Sequence, residues 1–236
     1  MNIFSANPQI KTDYFFSQAA KVLRLILYKT TQKALLIITY VLMYGFFDFL
    51  VEGKENARIN HGPLLVISNH KSFLDPPLLG ICFPFFSKIY PLRFITHDIF
   101  FKNPAGWLLF KSLGSYPACA GQGMEKSLEK PIEVLKKGGT VIFFPEGKRY
   151  FDDELHEPKL GAGILALKFP NVLILPVAIF GTNRIGSLWS IIFRRPRVRM
   201  KIGKPFRLVD KTVSNDPQLV SNCLMKEIEG LYKQIR

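Results

Sequence analysis

Apolar and polar positions follow two different periods along the chain. Between residues 14 and 33, apolar side chains recur at the three- and four-residue spacing of an amphipathic helix, flanked by lysine and arginine. Residues 34–47 then run for 14 positions without a charge. Because a spanning helix needs about 20 apolar residues, we predict a helical pair that lies on or re-enters a membrane surface. A true membrane span and a buried core helix are the alternatives.

Short apolar segments alternate with helical ones from residue 53 onward. The predicted strands lie at 64–67, 92–96, 115–118, 140–144, 172–180 and 197–202. The predicted helices lie at 76–82, 104–111, 125–137, 161–169 and 216–235. This alternation is typical of an α/β domain with a largely parallel sheet flanked by helices. We therefore predict such a domain at 53–236, preceded by an N-terminal membrane-associating helical pair within 1–52.

Composition narrows the class of protein further. The 236 residues include 32 Lys and Arg against 18 Asp and Glu, a net charge of +14, and 21 phenylalanines. The aromatic residues lie inside apolar runs, which favours an anionic membrane surface over nucleic acid as the partner. The three cysteines are far apart and no histidine stands at ligand spacing. We therefore expect no disulfide framework and no metal site, and a reducing compartment.

A basic segment covers residues 184–211, with nine lysines and arginines against one acid. Within 197–202 the cations alternate with apolar residues, so a strand there presents three cations on one face. Such a face suits anionic lipid or an acidic acyl carrier. The alternative is a solvated edge strand whose charges prevent aggregation.

The turn after the strand at 64–67 is the first candidate site. Asp75, which two prolines follow, is predicted to cap a helix, so that His70 and Asp75 lie on one strand–turn–helix connection. There, the carboxylate can hold the imidazole in one tautomer while the other ring nitrogen takes a proton. From this spacing alone, a capping aspartate beside an unrelated surface histidine is an equal alternative.

A second polar cluster follows the strand at 140–144. It consists of Glu146, Gly147, Lys148 and Arg149, at the carboxyl end of a predicted strand, where α/β proteins bind ligands. Gly147 lets a ligand approach the backbone, and Arg149 offers a planar fork to a phosphate or carboxylate. Taken alone, a charged tight turn with an internal Glu–Arg pair explains this cluster at least as well.

The two clusters together resemble the glycerolipid acyltransferase family, most closely the bacterial 1-acylglycerol-3-phosphate acyltransferases. The matching blocks are Asn69-His70-Lys71-Ser72-Phe73-Leu74-Asp75 and Phe144-Pro145-Glu146-Gly147-Lys148-Arg149. They are similar to the family's Asn-His-x4-Asp and Phe-Pro-Glu-Gly-Thr-Arg blocks, and residues 159–163 and 174–177 are similar to two further blocks. Two positions depart from the pattern: Ala120 stands where the family usually has a phosphate-binding arginine, and Lys148 replaces a threonine.

This resemblance implies acyl transfer from acyl-CoA or acyl-carrier protein to the free hydroxyl of a lysolipid, most directly 1-acylglycerol-3-phosphate, which gives phosphatidic acid. It implies His70 as the general base and Asp75 as the residue that orients it. The implied substrate-binding residues are Asn69, Glu146, Gly147, Lys148 and Arg149. No metal or cofactor beyond the acyl donor is expected. Since the donors are cytosolic, we expect the protein on the cytoplasmic side of the cell (inner) membrane.

Several alternatives stay open at this point. In the first alternative, the acceptor is another lysolipid or a glycolipid. In the second, the protein binds lipid without catalysis. A third is an acyl-enzyme route through Ser72 or Cys119, although Ser72 lacks a Gly-x-Ser-x-Gly elbow and Cys119 has no base beside it in sequence. For the acyl-chain groove, the candidates are residues 81–86 and the helix that contains Trp107.

Overall fold

A mixed sheet and the helices around it make up the part of the chain that the computed structural model describes, residues 8–119, 121–185, 195–211 and 214–236, with side chains from residue 18 onward. The helices are α1 Pro8–Phe46, α2 Asp75–Ile81, α3 Pro104–Ser112, α4 Met124–Lys136, α5 Gly161–Lys168 and α6 Pro217–Tyr232. The strands are β1 Asp48–Glu52, β2 Leu64–Ser68, β3 Leu92–Thr96, β4 Tyr116–Pro117, β5 Thr140–Phe143, β6 Leu173–Phe180 and β7 Arg197–Ile202.

The seven strands form one sheet in the order β1-β7-β6-β2-β5-β3-β4. Strand β2 lies at its centre, parallel to both of its neighbours, β5 and β6. Of the pairings between these strands, only that of β6 with β7 is antiparallel. All five residues of β2 are buried, as expected for a strand covered on both faces. The predicted largely parallel α/β architecture is confirmed.

Two hydrophobic cores cover the two faces of the sheet. The alternation of β2 divides its residues between them: Leu64 and Val66 face a core built with α1 and α2, whereas Leu65 and Ile67 face a core built with α4, α5 and α6. The turn that follows β2 is therefore held at the centre of the sheet, at the carboxyl end of a strand that is packed on both sides.

The N-terminal segment is one continuous helix, and the predicted helical pair is wrong. Helix α1 runs for 39 residues. No glycine or proline interrupts it between residues 9 and 44, so nothing in the chain breaks the helix where the charged stretch gives way to the uncharged one. By length and composition alone, Gln18–Phe46 is long and apolar enough to cross a membrane.

The second half of α1 packs on the α/β domain. One side chain in each turn is buried there: Tyr28, Gln32, Leu36, Thr39 and Met43. The Gln32 amide donates to the carbonyl oxygens of Leu92 and Leu113, both at 2.6 Å, and accepts from the Leu92 N–H at 2.8 Å. Apolar residues on the opposite side of α1 remain exposed, such as Ile38 and Val41.

Strand β1, which the sequence did not predict, joins the sheet beside β7 and lies within the predicted N-terminal segment 1–52. Its two terminal acids neutralise part of the predicted basic face. Arg199 pairs with Asp48 at 2.5 Å, and Lys201 pairs with Glu52 at the same distance. Arg184 and Lys211 of the same basic segment also have carboxylate partners, and Arg194 lies outside the described residues. The charge available to a partner on this face is therefore smaller than the residue count indicates.

Candidate active site

The end of β2 is tied to its neighbour β6 by Asn69. The side-chain amide of Asn69 donates to the carbonyl oxygen of Ile179 and accepts from the Ile179 N–H, both at 2.8 Å. Asn69 is completely buried, and it does not line the cavity described below. The predicted contact of Asn69 with substrate is therefore not what the geometry favours: its amide replaces backbone pairing and fixes the start of the turn that carries His70.

The Asp75 carboxylate collects hydrogen bonds from both sides of this turn. Its Oδ2 atom accepts from His70 Nδ1 at 2.9 Å and from the backbone N–H groups of Lys71 at 2.6 Å and Ser72 at 2.7 Å. Its Oδ1 atom accepts from the Thr182 hydroxyl at 2.8 Å. Because Asp75 is completely buried, these donors replace the water that its charge has lost.

Two features of this arrangement differ from the sequence analysis. Leu74 holds the N-cap position of α2, and Asp75 is the first helical residue, so its carboxylate turns back to the preceding loop instead of capping the helix. Thr182 was not identified at all. It lies 107 residues after Asp75, just beyond β6, and nothing in the local sequence marks its hydroxyl as a partner of that carboxylate.

The imidazole of His70 lies between Asp75 and the cavity. Its ring stacks on the ring of Phe144, with the centroids 3.9 Å apart and the planes 12° from parallel. An ionised carboxylate accepts only, so its contact with Nδ1 favours the tautomer in which Nδ1 carries the proton. Nε2 has no hydrogen-bond partner among the described residues and is therefore available as a proton acceptor.

Glu146 holds the backbone of His70 in place, and Lys71 lies next to Glu146. The Oε1 atom of Glu146 accepts from the His70 backbone N–H at 3.2 Å, and its Oε2 atom lies 4.0 Å from the Lys71 ammonium. The N–H of Tyr150 donates to the carbonyl oxygen of His70 at 3.1 Å. Glu146 is completely buried and does not line the cavity, so the contact that the structure shows for it is with the His70 backbone.

Burial raises the pKa of Glu146 to about 7, and the nearby Lys71 ammonium opposes this rise. Lys71 is itself almost completely buried. Its ammonium also donates to the carbonyl oxygen of Glu154 and to the Asp152 carboxylate, the latter at 3.3 Å. Through these contacts, Lys71 anchors the loop at residues 152–154, which follows the second motif block.

The turn of Gly147, Lys148 and Arg149 faces the cavity. The Arg149 guanidinium carbon lies 3.3 Å from the ring centroid of Phe73, and its Nη1 atom is buried without a hydrogen-bond partner among the described residues. Desolvation lowers the pKa of Arg149. Lys148 is exposed, with its ammonium 4.7 Å from the Tyr150 ring centroid. An internal pair between Glu146 and Arg149 is not among the ion pairs of the described residues.

The cavity has a volume of about 630 Å³ and is mostly apolar. Its walls come from α1, α2, β3 and the end of β5, through residues such as Leu36, Pro77, Phe94 and Ile142. His70 and Arg149 lie on its wall together. A pocket of this size, with many apolar and few polar groups, suits a small amphiphilic molecule whose polar part lies at His70.

Most of the other predicted residues lie outside this cavity. Residues 81–86 do not line it, whereas the helix that contains Trp107 does, through Phe110. Neither Ser72 nor Cys119 lines it, so neither hydroxyl nor thiol faces a bound substrate there. Ala120 lies outside the described residues. The described residues contain no group of three or more histidine, cysteine, aspartate or glutamate side chains that suits a metal ion.

Comparison with known proteins points to one family. The Acyltransferase family model matches residues 48–180. A relative named 1-acyl-sn-glycerol-3-phosphate acyltransferase LPAT1, chloroplastic, from Arabidopsis thaliana is 34% identical over 169 residues, which are 69% of this chain and 45% of the relative. The N-acylphosphatidylethanolamine synthase of the same plant is 30% identical over 122 residues, 49% of this chain and 43% of the relative. The chain thus spans less than half the length of these two relatives.

The solved structures add a match in three dimensions. The crystal structure of the 1-acyl-sn-glycerophosphate (LPA) acyltransferase PlsC from Thermotoga maritima superposes with a TM-score of 0.65 at 25% sequence identity. The match covers 86% of this chain and 79% of that one.

We predict that Glu146 makes the stability of the protein depend on pH. The folded state keeps the Glu146 proton up to about pH 7, whereas an unfolded chain loses it near 4.5. The unfolded state therefore binds fewer protons between these values, and stability falls as the pH rises through them. In Glu146→Gln, the loss of unfolding free energy between pH 5 and pH 8 should be smaller by about 3 kcal/mol.

Urea denaturation of the wild type and the variant at both pH values measures this difference. Glu125→Gln is the matched control, because Glu125 is exposed. If Glu146→Gln and Glu125→Gln show the same pH dependence as the wild type, the buried Glu146 carboxyl does not have the raised pKa.

Proposed function

The chain belongs to the Acyltransferase family, and on this premise we propose that it transfers an acyl chain from a thioester donor to the free hydroxyl of 1-acylglycerol-3-phosphate. The donor is acyl-CoA or acyl-carrier protein, and the product is phosphatidic acid. One observation carries this proposal: His70, oriented by a buried carboxylate, and Arg149, with an unpaired N–H, lie on the wall of the same apolar cavity.

The chemistry assigned to His70 is general base catalysis. Nε2 takes the proton of the acceptor hydroxyl as that oxygen attacks the thioester carbonyl carbon. The new C–O bond forms, the C–S bond breaks, and the leaving thiolate takes the proton from the imidazolium. Asp75 holds the ring and stabilises its positive charge, and such a base contributes on the order of 10²–10⁴-fold to the rate.

The backbone N–H groups of the turn have a restricted role in this scheme. Those of Lys71 and Ser72 already donate to Asp75, and that of His70 donates to Glu146. They are therefore not free to stabilise the oxyanion that forms on the thioester carbonyl. The stabilising donor belongs to another part of the cavity wall or to the substrates.

Arg149 and Lys148 are the groups that we assign to the acceptor phosphate. A phosphate monoester carries between one and two negative charges near neutral pH, so one cation leaves part of that charge unpaired. The unpaired Nη1 atom of Arg149 offers a hydrogen bond, and Lys148, an exposed residue, also lines the cavity. The apolar walls suit the acyl chains.

We also propose that the protein is associated with a membrane, on the cytoplasmic side of the cell (inner) membrane. The exposed apolar side chains of α1 support association. Because the second half of α1 lies against the α/β domain, a location at the membrane surface explains its packing better than full insertion does. The choice of side rests on the thioester donors, which are cytosolic.

A different acceptor is the second candidate. One relative is named N-acylphosphatidylethanolamine synthase, and this name refers to an amine, not a hydroxyl, as the group that carries the acyl chain. A protonated amine beside Lys148 and Arg149 would be repelled by two cations. The charges around the cavity therefore favour an anionic head group over an amine.

We predict that His70→Ala abolishes acyl transfer and that Asp75→Asn removes most of it, because the first variant loses the base and the second its charge partner. The measurement is the transfer of a labelled acyl group from acyl-CoA, or from acyl-carrier protein, to 1-acylglycerol-3-phosphate. His97→Ala is the matched control, since His97 lines the same cavity without contact to Asp75. Substantial turnover by folded His70→Ala protein would refute this mechanism.

We predict that Lys148→Thr raises the KM for 1-acylglycerol-3-phosphate by roughly ten-fold with a smaller effect on kcat, because a charge-assisted contact to phosphate is lost. Adding Ala120→Arg should restore part of the loss. Lys204→Thr, at another exposed lysine, is the control. Steady-state kinetics with a panel of lysolipids decides the question: an unchanged KM in Lys148→Thr would remove Lys148 from the site and weaken the case for a phosphate monoester.

A further inference from the structure

Helix α3 is almost entirely apolar, yet none of its nine residues is buried. Three consecutive large side chains are about half exposed or more: Trp107 at 49%, Leu108 at 62% and Leu109 at 53%. At roughly 100° per residue, these three side chains cover more than half of the helix circumference. Only Phe110, on the inner side of the helix, lines the cavity. We refer to Trp107, Leu108 and Leu109 as the α3 face.

The acyl transfer proposed above does not use the α3 face. Each square ångström of apolar surface left in water costs about 25 cal/mol, and contiguous exposed apolar patches commonly mark a surface that meets a partner. Burial of the α3 face would therefore lower the free energy of the protein.

Helix α3, which carries the α3 face, packs next to α1. Gln32 of α1 donates to the carbonyl oxygen of Leu113, directly after α3, at 2.6 Å. The next residue of α1, Lys33, holds its ammonium 4.8 Å from the Phe85 ring centroid and 5.2 Å from that of Phe86, which is 85% exposed. Helix α3 and the two phenylalanines therefore contact neighbouring residues of α1, and both carry exposed apolar side chains.

The α3 face lies on a stretch of sequence with more cations than acids. Between residues 99 and 124 the chain has two lysines and no acid. One of them, Lys111, places its ammonium 5.8 Å from the Trp107 ring centroid. Tryptophan beside lysine, on a helix whose other large side chains are leucine and phenylalanine, is typical of segments that lie at the boundary between lipid head groups and acyl chains.

We propose that the α3 face contacts an anionic lipid surface together with α1. The packing of α3 on α1, which carries exposed apolar side chains itself, and the lysine beside Trp107 favour lipid over a protein partner. Since Phe110 lines the cavity from the inner side of the same helix, the cavity then lies next to the lipid and receives its acceptor from the membrane. This last clause rests on the proposed function, whereas the lipid contact does not.

The contact is tested directly by the fluorescence of Trp107. In full-length Trp189→Phe protein, Trp107 is the single tryptophan. With vesicles that contain phosphatidylglycerol, we expect a blue shift of its emission, and at least about two-fold quenching when the lipids carry bromine near the top of their acyl chains. As the control, the variant Trp107→Phe, Trp189→Phe, Leu219→Trp carries its single tryptophan at an exposed position of α6. Helix α6 lies across the sheet, so no quenching is expected there.

A second experiment separates the contact from catalysis. We expect Leu108→Glu with Leu109→Glu to weaken partition into anionic vesicles by about ten-fold or more, with a matching loss of acyl transfer to acceptor held in the vesicles. Transfer to a short-chain acceptor dispersed below its micelle concentration should stay within about two-fold, since His70 and Arg149 are untouched. Val209→Glu, at another exposed apolar position, is the control.

The outcomes distinguish the two proposals. Because vesicle binding needs no turnover, His70→Ala protein should bind as the wild type does, even if the proposed acyl transfer is wrong. Unchanged Trp107 emission on vesicles that bind the protein, or unchanged partition of the Leu108→Glu, Leu109→Glu variant, would overturn the lipid contact. A Trp107 response to an acidic acyl carrier protein and not to vesicles would assign the α3 face to a protein partner instead.

Discussion

The site depends on burial of the Asp75 carboxylate at the centre of the sheet. A buried charge costs several kcal/mol unless donors replace the lost water, and four donors do so here: His70 Nδ1, two backbone N–H groups and the Thr182 hydroxyl. The backbone of the turn after β2 must therefore adopt a conformation in which its donors point at the Asp75 carboxylate. The same conformation leaves Nε2 of His70 directed away from Asp75 and available to a substrate.

The two motif blocks divide their work between support and contact. Asn69, Asp75 and Glu146 are completely buried and hold the turn through β6, the helix start and the peptide of His70. His70 and Arg149 line the cavity. A motif thus identifies a site without saying which of its residues meet the ligand, because supporting residues are as restricted in type as the residues in contact.

Local patterns in the chain predicted most of the elements, since the period of apolar residues reflects which face of a strand or helix is buried. The strand at 92–96 and the one at 197–202 lie where that period places them. Long-range pairings were not visible in this way. The edge strand β1 is defined by its pairing with β7, and Thr182 meets Asp75 only once β2 and β6 are side by side. The boundary between the charged and uncharged stretches predicts a break in α1, but no break in the helix occurs there.

The tautomer of His70 is the most direct test of the claim that Asp75 prepares it as a base. Nuclear magnetic resonance of protein with ¹⁵N-labelled histidine, in alkaline buffer, reports which ring nitrogen carries the proton in each of the four histidines. The account predicts a proton on Nδ1 and a bare Nε2 for His70, with this preference lost in Asp75→Asn and exposed His61 unchanged in both proteins. A His70 ring protonated on Nε2 in the wild type would contradict it.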